Sequence, residues 1–155
     1  MNIHLIAVGQ RMPDWVGQGY DAFAKRLPHE CRLVLHEIPA PKRGKNPDID
    51  RLRRDEGERI MATIPKGARI VALEVEGKQW STEQLSKHIG DWMGEGRDVA
   101  LLVGGPDGLD PPLSKRADNH WSLSPLTLPH PLVRVVIAEQ VYRAWSLLKG
   151  HPYHR

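Results

Sequence analysis

Cysteine is almost missing from this chain: Cys31 is the only one in 155 residues. No internal disulfide can form, and a reducing compartment is expected. Without a partner at metal-ligand spacing, Cys31 reads as a small buried hydrophobe. Long apolar runs are lacking too, and nothing approaches the roughly 20 residues that a membrane-crossing helix needs. The only apolar opening, Ile3–Val8, has neither a basic leader nor a cleavage site. A signal peptide and a membrane partner are therefore not expected, and a cytoplasmic location is. Charge of one sign is barely in excess. The 22 Lys and Arg against 19 Asp and Glu leave +3, a mild basic balance that is compatible with a phosphate-rich partner and does not name one.

Several chemical signatures are also absent. There is no G-x-x-x-x-G-K-[ST] segment, and the one glycine-rich loop follows a late strand instead of opening the first unit, which disfavours a nucleoside triphosphate or a nicotinamide cofactor. His120, His130, His151 and His154 have no cysteine or carboxylate partners at recognised spacing, so no metal is expected. Ser122, Ser124 and Thr127 lack the surroundings of a nucleophile elbow, and covalent hydrolysis has no support.

What is present is alternation. Short apolar runs at Ile3–Val8, Arg32–Ile38, Arg69–Val75, Val99–Val103 and Ser122–Leu126 read as strands. Between them Asp14–Leu27, Asp48–Ile64 and Thr82–Met93 carry apolar residues at helical spacing, and a last helix runs from Pro131 to a stop at Gly150. Ser81 followed by Gln84 predicts a capping box at the third helix. Strand and helix in turn predict an α/β fold: a mostly parallel sheet of five to six strands, helices on both faces, and one domain over residues 1–155. The Pro and Gly clusters at Pro39–Pro47 and Gly104–Pro112 are too short to divide it and read as loops.

Ligands of such sheets bind beyond the carboxyl ends of strands, which selects the loops after Val75, Val103 and Leu126. Gly104-Gly105-Pro106-Asp107-Gly108 allows close backbone approach to a ligand, and serves equally as a tight turn. Ser122 to Pro131 is apolar, hydroxyl-bearing and fixed by prolines, the composition of a rigid binding loop or of a stiff connector. Glu139 and Arg143 share a helix face at a spacing of four, which is ordinary surface pairing when isolated. Lys42-Arg43-Gly44-Lys45 is a cationic loop able to meet RNA, or simply a solvated one. The ending His151-Pro152-Tyr153-His154-Arg155 is aromatic and basic, suited to a base and its phosphates.

Taken together, Leu102 to Gly108, Leu123 to His130, Glu139 to Ala144 and the terminal His151 to Arg155 closely resemble the ribosomal RNA large subunit methyltransferase H family. Val8-Gly9, Met12 to Trp15 and Pro41 to Asn46 extend the likeness over nearly the whole chain. The resemblance implies a SPOUT-type α/β knot, with a C-terminal trefoil whose loops bind S-adenosylmethionine, and methylation of N3 of a pseudouridine in 23S ribosomal RNA. It implies a cofactor site at Leu73, Gly104, Gly105, Leu123, Ser124, Pro125, Leu126, Thr127 and Leu128. It also implies a homodimer acting on the ribosome, its RNA-facing site built from the last helix and tail, either within one subunit or across the subunit interface. Within that frame Arg143, Tyr153 and His154 are the candidate catalytic residues, and His130 and Arg155 the candidate substrate-binding ones. Another SPOUT enzyme acting on transfer RNA, or a non-catalytic ribosome-associated factor, stands as the alternative.

Overall fold

The computed structural model describes residues 1–154. Five strands, β1 (Asn2–Val8), β2 (Arg32–Ile38), β3 (Arg69–Gln79), β4 (Val99–Val103) and β5 (Asn119–Ser122), form one sheet in the order β2-β1-β4-β3-β5. Every pairing is parallel. Parallel neighbours need crossovers, supplied by α1 (Asp14–Ala24), α2 (Ile49–Thr63), α3 (Thr82–Glu95) and the short α4 (Pro111–Lys115), before α5 (His130–Leu148) closes the fold.

Successive side chains of a strand point to opposite faces, and that period sorts the core into two layers. Ile3, Leu5 and Ala7 of β1 join Val71, Leu101, Val103 and Trp121 under α3 and α5, which contribute Leu85, Ile89, Trp92, Ile137 and Val141. Ile6 and Val8 turn the other way, to Ile38, Ala72, Leu102, Ile60 of α2 and Leu113 of α4. β4 is buried at every position, as a central strand covered on both faces must be. Cys31 is fully buried, and burial pushes its thiol up to about 11, so it packs as a hydrophobe and not as a nucleophile.

The helix ends follow their residues. Ser81 and Gln84 make the expected reciprocal box at α3, and Gly96 closes that helix in the left-handed region at φ 71°. Gly150 turns the chain after α5 at φ 69°. Arg134, in the second turn of α5, is 1% exposed, donating to Glu37 at 2.6 Å and to the Gly9 carbonyl at 2.8 Å. This ties α5 to the carboxyl end of β1.

Three expectations need correction. The fifth strand covers Asn119–Ser122 and not Ser122–Leu126. Ser122 Oγ donates to the Ser124 carbonyl, the Leu126 N–H donates to Ser124 Oγ, and Pro125 has no donor, so local bonds replace the ladder. Pro111–Lys115, read as part of a loop, is helical because proline is tolerated in a first turn. β3 runs past Val75 to Gln79, with a break in register: Leu73 and Lys78 both face Trp121. Residues 74–77 thus swing out of the ladder, and Gly77 permits it, since a Cβ there would lie 2.8 Å from the main chain of His120 and Trp121.

Candidate functional site

The excursion of β3 makes one wall of a cleft of about 690 Å³ at the carboxyl ends of β3, β4 and β5. Leu73 to Glu76 form that wall, Val103 to Leu109 the floor, and Thr127 and His130 the far side. A smaller apolar recess of about 90 Å³ continues from it between Leu73, Val75, Trp121, Leu123, Leu126 and Val133. β4 lies between β1 and β3, so strand order reverses beside this opening, which is where open parallel sheets leave room for a ligand.

Loop chemistry fixes the floor. Gly105 and Gly108 are bridged, with the Gly108 N–H donating to the Gly105 carbonyl at 3.0 Å. Gly104 lies so close to the end of this turn that a Cβ would fall 2.6 Å from the Gly108 carbonyl carbon. Arg43 of the cationic loop pairs with Asp107 and so tethers the turn from outside. On the wall, Ser114 Oγ donates to Glu74 at 2.5 Å and His120 lies 3.5 Å from the same carboxylate. Arg53 and Lys115 reach the rim, with the Nε of Arg53 buried and unpaired.

His130 opens α5 at the cleft. Burial lowers its pKa, Arg134 lowers it further, and the nearby main chain of Val8 and Gly105 opposes both. The folded state therefore takes up a proton at lower pH than the unfolded chain does, and stability falls as pH drops below the ordinary histidine value of 6.5. Urea midpoints measured from pH 7.5 to 5.5 are expected to decline, and less steeply in His130→Gln. An equal decline in both chains rejects this contribution.

Of the expected cofactor residues, Leu73, Gly104, Gly105 and Thr127 line the cleft, and Leu123, Ser124 and Leu126 line the recess beside it. Leu128 packs into the core and Pro125 is an exposed corner of the same loop. His130 also lines the cleft. Arg143 and Tyr153 do not. Thirteen residues separate His130 from Arg143 on α5, about 20 Å at 1.5 Å per residue. Arg143 is held there by Glu139 at 2.7 Å, a bond that raises its pKa, with its guanidinium 5.1 Å from the Tyr153 ring. Tyr153 packs on Tyr142 with centroids 4.7 Å apart, so the tail folds against the far end of α5. One chain alone does not bring its ending to its own cleft. Arg155 and the His154 side chain lie outside the described residues.

Sequence reasoning missed Glu74, Glu76, Arg53, Ser114 and Lys115. Gly77 was the available signal for the first two, because glycine inside a strand marks a bulge. The others come from α2 and α4, which no strand-end rule selects. Among the described residues no group of three or more His, Cys, Asp or Glu is placed to hold a metal.

The family model described as "Predicted SPOUT methyltransferase" matches residues 1–154. The chain is 62% identical over its full length to the ribosomal RNA large subunit methyltransferase H of Thioalkalivibrio sulfidiphilus, covering 99% of it. The chain belongs to the ribosomal RNA large subunit methyltransferase H family of SPOUT methyltransferases. The relative from Hahella chejuensis is 59% identical, again over the full chain and 99% of that protein. A solved methylase family protein from Neisseria gonorrhoeae superposes with a TM-score of 0.51 at 13% identity, covering 91% of this chain and 80% of that one. That likeness concerns the SPOUT fold alone. No described helix of this SPOUT chain is long and apolar enough to cross a membrane.

Proposed function

We propose that this SPOUT methyltransferase transfers a methyl group from S-adenosylmethionine to N3 of a pseudouridine in large-subunit ribosomal RNA, as a cytoplasmic homodimer. One observation carries the reading: Leu73, Gly104 and Thr127, from three separate strand ends, line one cleft in a chain 62% identical to a ribosomal RNA methyltransferase.

The residues present suit that cofactor. Leu73, Val75, Val103, Leu123 and Leu126 offer an apolar surface to an adenosine, and Gly104 and Gly105 offer main-chain edges free of Cβ atoms. Glu74, Glu76 and Asp107 complement the positive charges of a sulfonium and an ammonium, while Arg53 and Lys115 suit a carboxylate. Ser124, Pro125, Thr127 and Leu128 complete the binding loop and shield it from water. When bound, S-adenosylmethionine supplies an activated methyl group. Aligning the acceptor nitrogen with it is the chief catalytic task. The trefoil knot belongs to the same reading, supported by the return of the chain after β5 to the loop that follows β4.

The acceptor side is assigned to two chains. Because Arg143 and Tyr153 stand about 20 Å up α5 from the cleft, they act on the base bound by a second copy. Apolar side chains are available for such a pair away from the cleft: Trp15 on α1 and Leu132 and Leu148 on α5 are exposed in the single chain. In that arrangement Arg143 stabilises the anion as N3 loses its proton, and Tyr153 stacks on the ring. His154 relays the proton, and Arg155 holds phosphate together with the Lys42 to Lys45 loop. His130 contacts the base from the cofactor's own chain.

The test is mass mapping of methylated nucleotides after incubation with ribosomes, free ribosomal RNA or transfer RNA, alongside a titration with S-adenosylmethionine. Methylation confined to transfer RNA points to another SPOUT reaction. A chain that binds no cofactor is a non-catalytic factor.

A further inference from the structure

Among the described residues Glu56 is the only acidic side chain that is buried, at 4% exposed on α2. It does not line the cleft, and the chemistry above does not use it. Burying a carboxylate is costly unless partners compensate, and those of Glu56 come from the cofactor loop, from the cationic loop and from α2 itself. The Gly105 main chain lies against it and favours its charge, Arg43 and Arg59 lie near enough to favour it too, and Asp107 opposes them. Burial is the largest influence and raises its pKa. A Cβ on Gly105 would lie 2.5 Å from Glu56 Oε2 and 2.9 Å from Oε1, so the carboxylate fills the space behind that peptide. Gly57 brings α2 this close, since even a Cβ there would meet Asp110 at 3.0 Å.

We propose that Glu56 is a positioning residue for cofactor binding: from behind the loop it fixes the Gly105 peptide, and with it the main-chain edge that Gly104 and Gly105 turn toward the cleft. The front of the loop meets the ligand and its back meets this one carboxylate. Arg43 completes the brace by holding Asp107 while favouring the Glu56 charge. The proposal rests on reading the cleft as the S-adenosylmethionine site. An ionised acceptor binds an N–H about twice as strongly as a neutral one, so loss of the carboxylate frees the peptide to rotate.

The test is calorimetric titration of S-adenosylmethionine into the full-length chain, with methylation kinetics beside it. Glu56→Ala is expected to weaken binding about tenfold and to raise the cofactor KM in step, with kcat at saturating cofactor within about threefold of the parent. Glu56→Gln, which keeps the shape and one acceptor oxygen, is expected to recover part of the loss. Gly105→Ala alone weakens binding by driving its methyl into the carboxylate. Combined with Glu56→Ala it adds little, because the obstructing atoms are gone. A Glu56→Ala chain that binds within twofold of the parent overturns the proposal, as does a Glu56→Gln chain no better than Glu56→Ala or a loss confined to kcat. A parent chain that does not bind S-adenosylmethionine overturns the cofactor reading and this proposal together, and that result is recognisable before any variant is made.

Discussion

Gly104→Ala is expected to weaken S-adenosylmethionine binding about a hundredfold and to take methyl transfer down with it. The added Cβ meets the Gly108 carbonyl carbon at 2.6 Å, its oxygen at 2.7 Å and the Leu109 nitrogen at 2.7 Å. All three are main chain, so no side-chain rotation relieves the contact and the turn itself must open. Overpacking that forces backbone shifts costs about 1–3 kcal/mol. Here the turn that shifts is also the floor of the cleft, so the strain and the lost ligand contacts fall on the same atoms. A hundredfold loss, about 2.7 kcal/mol, lies in that range. Calorimetry with the cofactor and tritium transfer to ribosomes measure both effects. Gly94→Ala on α3 is the control, since nothing lies within 4 Å of its Cβ. Parental affinity in Gly104→Ala would remove this loop from the site.

Mixing two inactive chains is expected to restore activity. Gly104→Ala damages a cofactor cleft and leaves the far end of α5 intact; Arg143→Ala does the reverse, and should retain cofactor binding within about threefold while losing methyl transfer about a hundredfold. If each active site takes its cleft from one copy and Arg143 from the other, a mixed dimer holds one complete site. Random exchange makes half of all dimers mixed, so about one quarter of the parental sites reappear. The measurement is methylation by the separate and the co-refolded chains, with size-exclusion light scattering confirming dimers. If both sets of residues come from the same chain, mixing two defective chains rescues nothing.

The pattern of apolar runs carried the architecture because parallel strands buried on both faces leave a simple trace: β4 reads as five consecutive apolar residues and is buried throughout. Helix ends were equally legible where a single residue sets them, as at Ser81, Gln84 and Gly150. The fifth strand was misplaced because Ser122 to Leu126 has strand-like residues whose hydroxyls bond within the loop, a competition that composition does not settle. The strand-end rule found three of the cleft's walls. It did not find Glu74 and Glu76, whose placement depends on the crossing of β3 and β5 at Gly77, nor Glu56, whose partner is almost fifty residues away along the chain. The distance from Arg143 to the cleft was invisible for the same reason. A spacing of residues fixes a helix face, but only the packed helix fixes how far that face lies from a ligand.

Strand order also governs how the molecule assembles. β1 and β2 are consecutive strands that pair with each other, so they can form as soon as they leave the ribosome. β3 then has no neighbour, for the strand that joins it to β1 has not yet been made. β4 must slide between two strands synthesised before it, and only afterwards can the closing helix settle over the result. Such late insertion of a central strand relies on long-range contacts and makes folding slow. The enzyme thus spends its early life with an open apolar edge, and a truncation before Val99 should leave an aggregating fragment instead of a smaller working protein.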